Sequence, residues 1–309
     1  MKLRKLTIVG VGLLGGSLGL AVRERRLADQ VCGVVRRPEA IAECENLGVV
    51  DSATSNLALG VKDAEMVVLC SPLGEMEGLL RQMAPFLSPD AIVTDVGSVK
   101  GSVVQLLDPI ARSCGARFVG SHPMAGSEKT GARAARGDLF QGAVCVLTPV
   151  LETNPSALSQ VRQLWSGVGS RLVTLSPSQH DDLVSRSSHL PHVVAAALAN
   201  YVLSPIHPPE QSLLCASGFR DTTRIAGGAP RIWRDISLAN RQHLSRVLGV
   251  YLEDLAEFRH ALDGGDANEI ERFFDLARQR RELWGQIQSG KANGSEDDRY
   301  AEEKGEIGA

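Results

Sequence analysis

The glycine motif near the start of the chain constrains the fold more than any other feature. It follows the apolar run LTIV and opens an apolar helical pattern, which is the setting that gives a G-x-G-x-x-G motif its meaning. Its glycines permit a tight turn, close approach of a pyrophosphate and close helix–strand packing, while the helix N-terminus supplies N–H donors. The motif predicts dinucleotide binding; a glycine turn without a ligand is the alternative. The predicted cofactor contacts are Gly10, Gly12, Leu13, Leu14 and Gly15.

The end of the second predicted strand indicates which dinucleotide binds. A carboxylate that bonds the ribose 2′-hydroxyl is expected there, about 20 residues after the motif. The sequence instead has Arg36 and Arg37. Paired guanidinium groups can hold a 2′-phosphate, so NADP is favoured and NAD remains possible. The alternative is that both arginines are solvated surface charges.

Short β-rich runs alternate with helical periodicity in the first half of the chain, which predicts parallel βαβ units. After residue 175 the strand signals stop. We therefore predict an α/β protein: a doubly wound Rossmann-type sheet over 1–175, an all-helical substrate and dimerisation domain over 176–288, and a disordered acidic tail over 289–309. The predicted strands are 5–9, 30–35, 66–70, 91–95, 117–119, 143–148 and 171–175.

Two long apolar patterns in the second half suggest an assembly. Residues 230–262 and 267–287 carry more apolar surface than a small helical domain needs for its own core. A homodimer through these helices is the prediction, and a self-contained bundle is the alternative.

Charge, cysteine usage and hydropathy exclude several classes of protein. The chain has 33 basic and 36 acidic residues. Three of the basic and six of the acidic residues lie in the last 21 residues, so residues 1–288, the body of the protein, contain 30 of each. A neutral body lacks the basic surface that nucleic-acid binding needs. The six cysteines show no zinc-like spacing. Five glycines interrupt the apolar run 6–22, so it resembles no membrane anchor, and we expect a cytoplasmic protein.

Polar residues follow three predicted strands, where a doubly wound sheet places its ligands. Ser71 and Pro72 follow one strand, Ser98 follows the next, and His122 follows the strand FVG. A loop imidazole with a near-neutral pKa is suited to take a proton from a substrate hydroxyl, so we predict that His122 is the base. Ser98 is predicted to orient His122 or the substrate hydroxyl, to cap a helix over 99–113, or to do both.

Two further segments lie in the helical half. Ser188-His189-Leu190-Pro191-His192 places two imidazoles three residues apart, but the segment has no H-E-x-x-H pattern and no third ligand, so no metal is predicted. The segment 217–224 holds Arg220 and Arg224, which are suited to grip substrate carboxylates. Solvated arginines in an interhelical loop are the alternative.

These residues together resemble the prephenate/arogenate dehydrogenase family of tyrosine biosynthesis. The resemblance covers about residues 5–285, and its specific part is HPMAG combined with SHLPH and GFRDTTRIA. The matching segments are GVGLLGGSL in the turn, TDVGSVK at 94–100, GSHPMAGSE at 120–128, SHLPH at 188–192 and GFRDTTRIAGGAPRIW at 218–233.

The resemblance implies an oxidative decarboxylation, in which hydride leaves the ring carbinol carbon for a nicotinamide and the ring carboxylate leaves as CO2. It implies that His122 accepts the hydroxyl proton or hydrogen bond and that Ser98 orients the pair. It also implies substrate contacts for four residues. They are Ser127, which replaces the Thr of some members, Glu128, His192 and Arg224.

The substrate is prephenate, with a keto group, or arogenate, with an ammonium group. A neutral His192 suits the keto acid, whereas an acidic neighbour would suit the ammonium. The second histidine of SHLPH therefore favours prephenate. Asp181, Asp182 and Asp221 are the acidic residues that would favour arogenate if they lay in the pocket.

Two other functions remain open from the sequence. A β-hydroxyacid dehydrogenase of similar architecture would need a helix lysine as its acid or base, and Lys100 is the candidate. A non-catalytic NAD(P) sensor would not need His122 and Arg224 around one pocket.

Overall fold

A computed structural model describes residues 2–127 and 129–288 of the chain. The chain divides into two compact units, one from Met1 to Val247 and the other from Leu248 to Ala309. The domain boundaries predicted from the sequence stay a prediction. The predicted tail, residues 289–309, lies outside the described residues.

One eight-stranded sheet runs through the first unit, in the order β3-β2-β1-β4-β5-β6-β7-β8. Neighbouring strands are parallel except β6 and β7. The fold class is thus confirmed as a Rossmann-type doubly wound sheet. The strands are β1 Leu3–Val9, β2 Ala28–Val34, β3 Ser52–Thr54, β4 Met66–Leu69, β5 Ile92–Asp95, β6 Arg117–Pro123, β7 Val144–Thr148 and β8 Arg171–Thr174.

Helices connect these strands, and local capping residues mark the start of some of them. The Asn154 side chain accepts the Ala157 N–H at 3.0 Å and caps α6, with Pro155 in the first turn. The connecting helices are α1 Leu13–Glu24, α2 Glu39–Asn46, α3 Leu57–Val61, α4 Leu73–Met83, α5 Gly101–Ser113 and α6 Pro155–Gly167.

The described part of the chain after β8 is helical, as predicted. A π-helical turn, Ser185–His189, separates the first two helices. The expected continuous helix over 230–262 is wrong, because the chain breaks at Asn240, whose φ and ψ are −108° and 26°. The helices are α7 Pro177–Val184, α8 Leu190–Val202, α9 Glu210–Leu213, α10 Ser217–Thr223, α11 Pro230–Ala239, α12 Arg241–Gly264 and α13 Ala267–Gln288.

The central strands are buried on both faces of the sheet, which is why they are uniformly apolar. In β4, Met66 and Val68 join one buried cluster, whereas Val67 and Leu69 join the other. Successive side chains of a strand point to opposite faces, so these two clusters form the two cores beneath the helical layers. The cores hold the carboxyl ends of β1, β4 and β5 at one edge of the sheet.

The second unit consists, in its described part, of the end of α12 and of α13. Phe258 contacts Phe273 and Phe274, with ring centroids 4.6 and 5.7 Å apart. Many of its large apolar side chains are nevertheless exposed, among them Leu252, Phe274 and Trp284. Within residues 2–127 and 129–288, no helix is long and apolar enough to cross a membrane.

Close packing of α1 against the segment between α2 and β3 predicts a strong effect of one methyl group. A Cβ at Gly19 would lie 1.9 Å from the Val49 backbone oxygen. Gly19→Ala should therefore lower the free energy of unfolding by roughly 1–3 kcal/mol, because backbone must move. Gly78, exposed on α4 with no atom within 4 Å of its would-be Cβ, provides the control. Gly78→Ala should stabilise by about 0.5–1 kcal/mol in the same urea titration. Equal midpoints for the two variants would contradict this packing.

Candidate active site

The glycine turn after β1 has the geometry of an anion cradle. Gly10 has a φ of 99°, which favours glycine. A Cβ at Gly15 would lie 2.1 Å from the Gly10 backbone oxygen, whereas a Cβ at Gly12 would meet nothing within 4 Å. The N-terminus of α1, which begins at Leu13, is therefore open above Gly12. Such an opening at a helix N-terminus is suited to a phosphate group.

The neighbouring strand ends carry the other predicted cofactor contacts. Ser71 follows β4, and its Oγ is buried without a hydrogen-bond partner among the described residues. Pro72 is the residue before α4. Arg36 and Arg37 follow β2, are exposed, and form no ion pair with another described residue. An unpartnered buried hydroxyl beside an open turn fits a bound nucleotide.

His122 lies within strand β6, not on a loop as predicted. The end of this strand pairs antiparallel with β7, and His122 stands opposite Val146. Because β7 pairs with the end of β6, the strand continues to Pro123. The side chain is 7% exposed. The backbone of the predicted base is thus fixed by the sheet.

Three side chains form a hydrogen-bonded chain behind this base. His122 Nδ1 lies 2.8 Å from Nε2 of His180, and His180 Nδ1 lies 2.8 Å from a carboxylate oxygen of Asp181. A carboxylate only accepts, so His180 Nδ1 donates to Asp181. The neutral His180 then accepts at Nε2 from the Nδ1–H of His122. Consequently the lone pair of His122 is at Nε2, the nitrogen that the chain leaves for a substrate.

The electrostatics of the chain keep both imidazoles neutral. Burial, together with His180 and the Lys100 cation, holds the pKa of His122 well below its usual value. Burial also lowers the pKa of His180, although the hydrogen bond to Asp181 opposes it. Burial disfavours ionisation of Asp181, but hydrogen bonds from His180 and from two backbone amides prevail and lower its pKa. A neutral base and a charged anchor are therefore present at pH 7.

Asp181 also caps α5, a role that the sequence assigned to Ser98. Its two carboxylate oxygens accept the backbone N–H groups of Lys100 and Gly101 at 2.7 and 2.8 Å. The helix begins at Gly101 rather than Val99, so Ser98 lies outside the cap position and the capping prediction is wrong. The hydroxyl of Ser98 is half-buried and makes no hydrogen bond with another described residue. It remains available to a ligand.

Lys100 lies beneath the site and does not face a substrate. Its side chain is fully buried, pairs with Asp95, and donates to the Ser121 backbone oxygen at 2.8 Å. Burial lowers the pKa of Lys100, and Asp95 opposes that shift. Asp95 in turn accepts the Ser121 N–H at 3.1 Å. Because its ammonium group is already engaged inside the protein, Lys100 is a poor acid or base for a β-hydroxyacid dehydrogenase.

The SHLPH segment and α11 form an aromatic cluster. His192 stacks on Trp233 with centroids 3.6 Å apart, and His189 meets the same ring edge-on at 6.3 Å. Burial lowers the pKa of His192, a hydrogen bond to Ser188 opposes this, and the nearby Arg224 cation contributes to the lowering. His192 and Arg224 are thus brought close together. Within the described residues, no three potential ligands are close enough to hold a metal ion.

Ser127 and Glu128 complete the sequence-predicted set. Ser127 is exposed on the segment after β6, where its Oγ accepts the Lys129 N–H at 3.2 Å. Glu128 lies outside the described residues.

Sequence reasoning missed two members of the site. His180 is 58 residues from His122, and nothing in its local pattern connects them. Ser176 and Gln179 form a capping box, a local signal that predicts the helix start just before His180. Trp233 ends the family-like segment at 218–233, but nothing in the sequence indicated that it stacks on His192.

Comparisons with known proteins agree with this geometry. The family model described as "Prephenate dehydrogenase, nucleotide-binding domain" matches residues 18–174, and "Prephenate dehydrogenase, dimerization domain" matches residues 176–276. The fold and site therefore define an oxidoreductase built from a nucleotide-binding domain and a dimerization domain. The chain belongs to the prephenate dehydrogenase family.

Individual relatives cover most of the chain. Prephenate dehydrogenase of Bacillus subtilis (strain 168) is 34% identical over 279 residues, which are 90% of this chain and 75% of that protein. The structure of prephenate dehydrogenase from A. aeolicus in complex with hydroxyphenyl propionate and NAD+ is 32% identical, covers 92% of this chain and 99% of that one, and has a TM-score of 0.84. Synechocystis arogenate dehydrogenase is 31% identical, with coverage of 91% and 99% and a TM-score of 0.77.

The hydrogen-bonded chain predicts how substitutions at His180 affect the pH profile. The lowered pKa of His122 should keep kcat constant down to a pH below 6.5, where protonation removes the base. His180→Leu should lower kcat about 100-fold and move the acid limb to higher pH, because the neighbouring imidazole no longer lowers the pKa of His122. His180→Gln, which can both accept and donate, should retain most of the activity. A leucine variant with an unchanged profile would refute the arrangement.

Proposed function

We propose that the protein oxidises and decarboxylates prephenate to 4-hydroxyphenylpyruvate with a nicotinamide nucleotide, NADP being favoured over NAD. The observation that carries this proposal is the buried chain His122–His180–Asp181, which leaves one basic nitrogen beside the strand ends of a nucleotide-binding sheet. Family membership supplies the reaction class, and this chain of side chains supplies the base that the reaction needs.

The residues of the nucleotide turn fit the cofactor. A bound nicotinamide nucleotide supplies the hydride acceptor. The open space above Gly12 and the unpartnered Ser71 Oγ would receive its phosphates and polar groups. Arg36 and Arg37, exposed and free of ion pairs with described residues, would bind a 2′-phosphate. This availability supports the preference for NADP.

The substrate would be held between the base and the cationic residues. His122 Nε2 accepts the proton of the ring hydroxyl, and Ser98 hydrogen-bonds the same group. Arg224 pairs with a substrate carboxylate, and His192 lies beside it. His192 donates its Nδ1–H to the Ser188 backbone oxygen at 2.9 Å, so the Nε2 of the neutral ring would meet the substrate side chain as an acceptor. Ser127 would line the same pocket. Loss of CO2 then leaves an aromatic ring.

Two aspartates near the site are already occupied, which supports a keto acid rather than an amino acid. An ammonium group would need a free carboxylate. Asp181 is occupied by His180 and by two backbone amides, and Asp182 by Arg186 and Arg246. Asp221, exposed on α10, remains. Arogenate is therefore the second candidate, and the similarity to an arogenate dehydrogenase keeps it open.

We further propose that the protein acts as a homodimer in the cytoplasm. The dimerization-domain model and the exposed apolar side chains of α13, such as Phe274 and Trp284, support the dimer. The six cysteines are all free thiols, which supports a reducing compartment. The small-molecule substrate and the neutral body of the protein leave no role for nucleic acid.

The assay that tests this function measures reduced nicotinamide at 340 nm with prephenate or arogenate against NAD or NADP. Turnover with prephenate and NADP is the expected result. Turnover with arogenate alone would indicate that an acidic residue such as Asp221, rather than His192, determines the choice of substrate. An absence of turnover in all four combinations would refute the proposed function and favour a non-catalytic sensor.

The cofactor preference predicts an asymmetric effect of the two arginines. The double variant Arg36→Ala/Arg37→Ala should raise the KM for NADP roughly 10- to 100-fold, because charge-assisted bonds to the 2′-phosphate are lost. The KM for NAD should change less than twofold. Arg26, which follows α1, provides a matched control for loss of surface charge. An equal rise in both KM values would show that the arginines do not read the 2′-phosphate.

A further inference from the structure

The break between α11 and α12 holds a buried amide group that connects several parts of the site. Asn240 is 2% exposed. Its Nδ2 lies 2.9 Å from the Asp181 backbone oxygen and 3.1 Å from Nδ1 of His189. Its Oδ1 lies 3.0 Å from Nδ1 of His243, in the first turn of α12. A buried amide with every polar atom engaged rigidifies its surroundings.

The direction of each of these hydrogen bonds follows from one fact. A backbone carbonyl oxygen only accepts, so the Asn240 nitrogen must face Asp181. One N–H of that amide goes to Asp181, and the other is directed at His189. The Nδ1 atom of His189 must therefore accept, which leaves the ring proton of a neutral His189 on Nε2. Asn240 thus selects one of the two tautomers of His189.

His189 is buried beside residues that are proposed to bind the substrate, so its tautomer matters for the site. The ring is 1% exposed, and burial lowers its pKa to about 4, so it is neutral at pH 7. The Ser98 backbone lies beside it, and it contacts the edge of Trp233, on which His192 stacks. A hydrogen bond with the Ser98 backbone opposes this lowering of the pKa, so the ring also interacts with the segment that carries Ser98. The tautomer of His189 therefore affects how its ring meets the backbone of a residue proposed to bind the substrate.

The second contact of Asn240 acts on the base. Asp181 orients His180, and His180 orients His122. The hydrogen bond from Asn240 restrains the backbone of the residue at the buried end of this chain. Two hydrogen bonds, each of 2.8 Å, connect that end of the chain to the ring of the base.

We propose that Asn240 is a positioning residue of the active site, which fixes the backbone of Asp181 and holds His189 as the Nε2–H tautomer. The structural part of this inference stands on geometry alone, and its effect on turnover rests on the proposed function. Asn240 also stands at the break between α11 and α12, where the apolar pattern over 230–262 is interrupted.

The experiment compares tautomers in the wild-type protein and in Asn240→Asp, by ¹⁵N NMR of labelled histidine rings at pH 7.5 without substrate. The chain has seven histidines, and the His189 signals are assigned with His189→Gln. The aspartate keeps the size and the acceptor for His243, but it offers no N–H group. It should therefore force the His189 proton onto Nδ1. Asn240→Ala, which offers neither group, should give a mixture of tautomers.

Kinetics provide the second readout. Both variants should lower kcat about tenfold or more, with each KM within threefold, because positioning rather than binding is lost. His243→Ala removes only the bond to Oδ1 and should keep the Nε2–H tautomer and a kcat within twofold of the wild type. Thermal unfolding of all variants separates this pattern from a general loss of stability.

The outcomes separate this inference from the proposed function. An Nε2–H tautomer in the wild type that persists in Asn240→Asp and Asn240→Ala would overturn the inference, whatever the substrate. A changed tautomer with an unchanged kcat would overturn the positioning role. If the wild type turns over neither prephenate nor arogenate, the proposed function fails, while the tautomer comparison still decides whether Asn240 controls His189.

Discussion

The carboxylate of Asp181 is the contact on which the rest of the site depends. It accepts two backbone N–H groups at the start of α5 and a third hydrogen bond from His180. A helix N-terminus carries unsatisfied donors and a partial positive charge, so an anion is stabilised there. The same anion then fixes the tautomer of His180, and through it the tautomer of His122. One buried charge thereby connects the α5 helix of the sheet layer with the helices that follow β8.

A second buried charge pair supports the other side of His122. Lys100 and Asp95 bind the backbone oxygen and the N–H of Ser121, the residue before the base. Ser121 Oγ accepts the indole N–H of Trp165 at 2.9 Å. Removing one member of a buried ion pair typically costs about 3–5 kcal/mol, because its partner remains charged in a low-dielectric environment. The position of His122 is therefore determined by protein contacts before any ligand binds.

Local sequence patterns predicted the parts of this protein whose cause is local. The turn at Gly10 depends on neighbouring residues, and the glycine motif therefore predicted it. The cap at Asn154 has an equally local cause. His122 was identified because it follows a strand, although the antiparallel partner that places it within β6 comes later in the chain. His180 and Asn240 act on residues 58 and 59 positions away, and nothing beside them in sequence marks those partners. The cap of α5 was assigned to Ser98 for the same reason. The residue that caps the helix is Asp181, which lies 80 residues after Gly101 in the chain.

The most direct test of this account is the rate of a single turnover of His122→Asn compared with the wild type, measured together with the dissociation constant of prephenate. Asparagine is similar in size but has no basic nitrogen. With His122 as the base, the rate should fall by roughly 10²- to 10⁴-fold while the dissociation constant changes little, because only the proton acceptor is lost. A wild-type rate in His122→Asn would contradict the assignment of His122 as the base and, with it, the role given to His180 and Asp181.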